Sequence, residues 1–123
     1  DGTDRLVAAV EHPEVNILGH PTGRLLNRRE GLDFDMERIA EAAVVSDTAL
    51  EINANPSRLD LRGGYVKQAI EAGATIVVNT DAHQPSSLEL ARFGVHTARR
   101  GWAETDDVLN TRDADGVADF LGL

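Results

Sequence analysis

Apolar positions recur along this chain at two spacings, and the stretches where each spacing holds alternate. Leu6, Val7 and Val10 fall on one helical stripe within residues 3–11, where Thr3 or Asp4 would cap the start. Met36, Ile39, Ala40 and Ala43 mark a second helix over residues 35–45, capped by Asp35. The segment YVKQAIEA predicts a third, with Gly73 placed to end it. SSLELARF predicts a fourth, opened by a Ser86/Glu89 capping box and followed by Gly94. Between these lie short apolar runs that read as strands: VNIL at 15–18, TALEI at 48–52, TIVVN at 75–79 and VHTA at 95–98. DDVLN and ADGVADFL predict short closing helices.

Strands joined by helical crossovers must run parallel, so the pattern implies an α/β fold whose sheet is covered by helices. Four βα units are expected. A complete barrel of such units takes about 250 residues, and this chain has 123. The expectation is therefore a partial β/α barrel, with residues 1–123 forming one domain or a piece of one. The chain starts at Asp1 and its single methionine is Met36, which suggests an excised segment. Such a piece would leave two open strand edges and an exposed apolar face, so a homodimer is expected.

In parallel α/β folds the loops beyond the C-terminal strand ends build the ligand site. Gly19 and His20 follow the first strand, Glu51 and Asn53 end the second, and Asp81 and His83 follow the third. If the chain stays extended, Asn79, Asp81 and His83 share a face with Val77. His20, Asp81 and His83 could then meet at one mouth as mixed imidazole and carboxylate ligands for zinc, manganese or iron. The bland alternatives are a hydrogen-bonded loop histidine in GHP, and an Asp81 that merely caps a turn beside an exposed His83. Glu51, in an apolar strand, needs a partner, for which Arg58 is a candidate.

Arginines crowd the same loops. Arg24, Arg28 and Arg29 follow the first strand, Arg58 and Arg62 the second, and Arg99 and Arg100 the fourth. Guanidinium forks match phosphate oxygens, which favours a phosphate ester as substrate, with Arg24, Arg58 and Arg100 as its contacts. Arg28, Arg29 and Arg62 are expected in surface ion pairs with Glu30, Asp33 or Asp60. His12 lies at the opposite end from this mouth, His96 reads as a packed strand histidine, and Trp102 reads as a packing residue with base stacking as the rival.

Composition narrows the classes. Twelve basic residues against twenty-one acidic ones give a formal charge of −9, which argues against coating nucleic acid by bulk electrostatics. Lys67 is the single lysine and Asp outnumbers Glu by twelve to nine, a bias that suits a high-salt cytoplasm. Without cysteine, neither disulfides nor thiolate zinc sites contribute. No apolar run approaches the roughly 20 residues of a membrane span, and there is no secretory leader, so a soluble cytoplasmic protein is expected. Gly-rich loops for NTP or dinucleotide binding are missing, as is a serine nucleophile elbow.

Four phrases occur together and in order: NILGHPTGRLL, LEINANPSRLDLR, IVVNTDAH and GVHTARRGW with DVLNT. Jointly they resemble the C-terminal half of the PHP (polymerase and histidinol phosphatase) domain attached to bacterial and archaeal X-family DNA polymerases. The resemblance runs from about residue 3 to about residue 121. It implies a distorted seven-stranded TIM-like barrel holding up to three zinc or manganese ions, and manganese-dependent 3′–5′ exonuclease or related phosphoesterase activity on DNA ends during repair. By motif it implies that His20, Asp81 and His83 are metal ligands, with Glu51 and Asn53 supporting them from behind. The family's HxH motif, bridging glutamate and further histidine belong to the first half of the barrel and are not in this chain; nor is the polymerase domain. Two alternatives stand beside the exonuclease: a scaffolding PHP segment without catalysis, and a free-standing phosphatase of the histidinol-phosphatase kind.

Overall fold

The computed structural model describes residues 2–123. Three parallel strands, β1 (Ile17–Leu18), β2 (Ala49–Asn53) and β3 (Ile76–Asn79), form one sheet in the order β1-β2-β3. Between and after them run the helices α1 (Gly2–Glu11), α2 (Met36–Ser46), α3 (Gly63–Glu71), α4 (Ala91–Arg100) and α5 (Ala114–Leu121). Register pairs Leu18 with Leu50, Leu50 with Ile76 and Ile52 with Val78, so these residues share one face of the sheet. That face packs against α1 to α4 in the main core, with Val10, Ile39, Val66 and Ala98. Ile39, Leu50, Ile52 and Ile76 are fully enclosed, each contributing roughly 1.5–3 kcal/mol by burial.

The opposite face carries Ile17, Ala49, Glu51, Val77 and Asn79. Its N-terminal end is covered by Leu109, Val117 and Phe120. Its C-terminal end turns polar at Glu51 and Asn79. The α/β layering and the parallel sheet are as the alternation implies.

Local signals hold in several places. Asp35 caps α2 by accepting the Arg38 N–H at 3.2 Å, and Gly73 follows α3 at φ +92°, where a side chain would be strained. Thr3 is not a cap: it lies inside α1, and its Oγ accepts the Asp35 N–H at 3.0 Å.

The fourth unit differs from expectation. Residues 85–90 form a 3-10 turn without a side-chain cap, and residues 91–100, VHTA included, are helix. Gly94 does not end that helix but sits inside it: a Cβ there would lie 2.4 Å from Val78 Cγ1 and 2.8 Å from Ala54 Cβ. Gly94, Thr97 and Ala98 are the buried face of α4, small residues at helical spacing that let the helix lie directly on the strands. A four-residue apolar run does not distinguish this face from a strand.

The place of a fourth strand is taken by a single parallel bridge, Ile76 to Val108. Beside it Asn110 accepts the Val78 N–H at 2.7 Å and donates to the Val78 carbonyl at 2.9 Å. The β3 edge is therefore not open, which corrects the two-edge premise for a homodimer. On the other side, past the end of β1, the β2 edge is covered by Asp60 in an antiparallel bridge with Asn53. Among the described residues, no helix is long and apolar enough to cross a membrane.

Candidate functional site at the strand ends

Glu51 sits third in β2, half-buried, on the face it shares with Val77 and Asn79. Its two oxygens reach in opposite directions. Oε1 accepts the backbone N–H of His20 at 2.9 Å, and Oε2 accepts the Asn79 amide at 2.9 Å. One carboxylate thus ties the loop after β1 to the end of β3. The expected partner Arg58 is not the one found. A neighbouring backbone amide and a side-chain amide supply the hydrogen bonds that a partly buried carboxylate requires.

The loop after β1 is fastened a second time. Asp60 is fully buried and accepts from the Thr22 hydroxyl at 2.9 Å, the Thr22 N–H at 3.1 Å and the Gly23 N–H at 2.8 Å. It is not the surface ion-pair partner that the sequence suggests; it is the anchor of GHPTGR. Its sequence signal, an isolated Asp between Leu59 and Leu61, is weak.

Arg24 and Arg58 complete the weld between the two loops. Arg24 donates through Nε to the Arg58 carbonyl at 2.8 Å and through Nη2 to the Leu59 carbonyl. Arg58 donates in return to the Arg24 carbonyl at 3.2 Å. Burial pulls the Arg24 guanidinium below the ordinary arginine value; Asp60 opposes this and Arg62 adds to it. Asn53 is buried and turns the loop, its Oδ1 accepting the Asn55 N–H at 3.1 Å.

His20 and Asp81 both have positive φ, 23° and 54°. The left-handed region is sparsely occupied by non-glycine residues, and such residues cluster at functional sites. The turn at Asp81 also breaks the strand parity expected of Asp81 and His83. After it, His83 Nδ1 lies 2.8 Å from the Asp81 carbonyl. A carbonyl only accepts, so Nδ1 carries the proton and Nε2 of the neutral ring keeps its lone pair. That is the tautomer a metal-ligating or proton-accepting histidine needs.

His20, Asp81 and His83 are all exposed and stand at the ends of β1 and β3. Their donor chemistry suits a divalent cation. Yet among the described residues no group of three or more His, Asp or Glu is gathered closely enough to hold one. These donors alone do not make a complete site.

The remaining expectations resolve individually. Arg100 is exposed on the last turn of α4, not after a strand, and its Cβ lies 2.9 Å from where a Cβ on Gly63 would be. Arg29 donates to the Gly23 carbonyl at 2.9 Å and Arg62 lies over the Tyr65 ring at 4.1 Å, in place of the expected ion pairs. His96 is exposed on α4 and is not packed in a strand. Trp102 is 75% exposed and so is not a packing residue. His12 accepts the Glu14 N–H at 3.2 Å before β1.

No protein-family model matches the chain. It is 48% identical over 117 residues, 95% of its length, to the "DNA polymerase/3'-5' exonuclease PolX" of Bacillus subtilis, of which it covers 20%. A "probable phosphatase" of Thermoanaerobacter sp. (strain X514) is 30% identical over 97% of the chain and 48% of that protein. Another, from Shewanella piezotolerans, is 37% identical over 70% of the chain and 35% of that protein. The chain thus spans about a fifth of the first relative and about half of the second. The resemblance read from the four phrases is borne out: over nearly its whole length, this chain is a relative of a segment of the bacterial PolX protein.

Proposed function

We propose that this chain is the C-terminal part of a PHP-type barrel in a metal-dependent phosphoesterase. In its parent protein it would act as a 3′–5′ exonuclease on DNA ends, in repair, alongside an X-family polymerase domain. The observation that carries the reading is Glu51, which holds the His20 loop and Asn79 to a common rim; four residues beyond Asn79 in the chain, the Asp81 carbonyl takes up His83 Nδ1 and leaves Nε2 as the nitrogen with a lone pair. The PolX relative, named for both polymerase and exonuclease, supports the same reading. The matched probable phosphatases favour a second reading, a free-standing phosphatase on a small phosphate ester. Both share phosphoester hydrolysis.

In this reading His20, Asp81 and His83 would hold zinc or manganese together with further donors. A bound cation would supply charge neutralisation and a more acidic water. The chain's own residues set the stage. Glu51 fixes the backbone at His20 and so the direction of its imidazole. The Asp81 carbonyl fixes the His83 ring. Arg24 and Arg58 hold the two loops together through carbonyls, and they place positive charge beside the rim for a phosphate.

The test is hydrolysis of bis(p-nitrophenyl) phosphate with added manganese, by the chain as it stands and by the chain within the intact parent protein. Asp81→Asn and His83→Ala in the parent are expected to reduce the rate by at least about 100-fold with an unchanged circular dichroism spectrum. Wild-type rates in both variants would overturn the assignment.

A further inference from the structure

From Leu90 to Ala103 the chain runs fourteen residues without an acidic side chain, inside a protein of net charge −9. The run is α4 and the turn after it. Its buried face, Gly94, Thr97 and Ala98, lies on the sheet. The opposite face must then carry Arg92, His96 and Arg99, spaced i, i+4 and i+7, and all three are exposed. Arg92 lies 4.9 Å from the centroid of the Phe93 ring. The stripe spans roughly 10 Å at the rise of an α-helix. Near the start of the stripe Gly94 lies on Val78, the residue before Asn79 at the end of β3, and Trp102 follows the end of the helix by two residues.

Trp102 is the chain's single tryptophan, exposed, and held at φ 65°, a conformation a bulky residue rarely adopts. Lys67, the single lysine, sits over one face of its ring at 4.8 Å, while its ammonium is 3.9 Å from Glu71. The other ring face is left for a flat partner. A line of guanidinium groups ending in an open aromatic face matches a flexible phosphodiester chain with an unstacked base. It does not match a duplex, which presents no free base face, nor an acidic peptide, which has no flat ring at each step.

We infer that the Arg92–Arg99 face of α4 and Trp102 form a binding track for single-stranded nucleic acid, with a base stacked on Trp102 and the backbone led toward the strand-end rim. This rests on the phosphoesterase reading for its purpose but not for its test. Binding is measured in chelator, where no metal-dependent hydrolysis occurs.

The probe is oligothymidylate titrated into the chain, with Trp102 fluorescence as the readout. Quenching is expected, weakening with salt as counterions are displaced. R92S/R99S is expected to bind about tenfold more weakly, with the salt slope shallower by about 1.4, roughly 0.7 for each of the two charges removed. R5S/R112S removes the same charge elsewhere and is expected to bind like wild type. Absence of quenching, or equal losses in the two double variants, would overturn the track. A chain that binds in chelator while neither it nor its parent hydrolyses bis(p-nitrophenyl) phosphate would sink the phosphoesterase reading and leave the track standing. A parent that hydrolyses the ester while R92S/R99S binds like wild type would do the reverse.

Discussion

Asn110 makes two hydrogen bonds to Val78, one to its N–H and one to its carbonyl, so one side chain occupies the β3 edge where a neighbouring strand would pair. Replacing Asn110 with Ala removes both. Unfolding in urea should then show a loss of about 1–2 kcal/mol. The uncovered edge should also raise the tendency to associate, visible by light scattering. An unchanged midpoint would mean that water replaces the amide at no cost.

Asp60→Ala should be the more damaging change. It strands the Thr22 hydroxyl and the Thr22 and Gly23 N–H groups in a buried place, at a cost of about 3 kcal/mol or more. Thr22→Val removes one partner only and should cost about 1 kcal/mol. Urea titration of the pair tests the order; equal effects would refute the anchor role.

Gly94→Ala sets helix propensity against packing. Alanine gains about 1 kcal/mol in an open helix, but here its methyl would meet Val78 and Ala54 well inside contact distance. A net loss of about 1–3 kcal/mol is expected. Val78→Ala in the same chain should recover part of it, a coupling read from a double-mutant cycle.

Glu51→Ala should free the His20 loop from Asn79 while leaving the core intact. In the parent protein, kcat should fall by about tenfold or more with little change in KM. Glu51→Gln keeps one oxygen acceptor and should retain more activity than Ala. Equal activity of Ala and wild type would remove Glu51 from the positioning of the rim.

Acid stability gives a further test. The hydrogen bond from Arg38 holds the Asp4 carboxyl below its ordinary range, with nearby positive charge adding to the effect. A depressed folded-state value means that the contribution is present above the ordinary carboxylate range and is lost as pH falls through the depressed value. In Arg38→Ala the Asp4 carboxyl should titrate higher by NMR, and the chain should lose less stability on acidification.

The three strands, the first three helices and the rim residues at their ends are legible in the sequence, because apolar period and caps such as Asp35 act within one element. The region beyond β3 is not. Val95 to Ala98 alternates like a strand, and Gly94 reads as a terminator, yet contact with Val78 and Ala54 makes that glycine a packing surface. Asp60 is hidden for a related reason. Its role depends on Thr22, 38 residues away, and no local pattern marks a carboxylate whose partners are backbone amides in another loop. Arg24 and Arg58 read as phosphate contacts by residue type. Only the fold reveals the carbonyls to which their N–H groups are committed.

Since Asp60, Arg24 and Arg58 fasten the GHPTGR and NANPSRLD segments to one another, the pair can be exchanged between proteins only as a matched set. An insertion in one would have to be answered by a change in the other, so chimeras that swap a single segment should express poorly while double swaps fold.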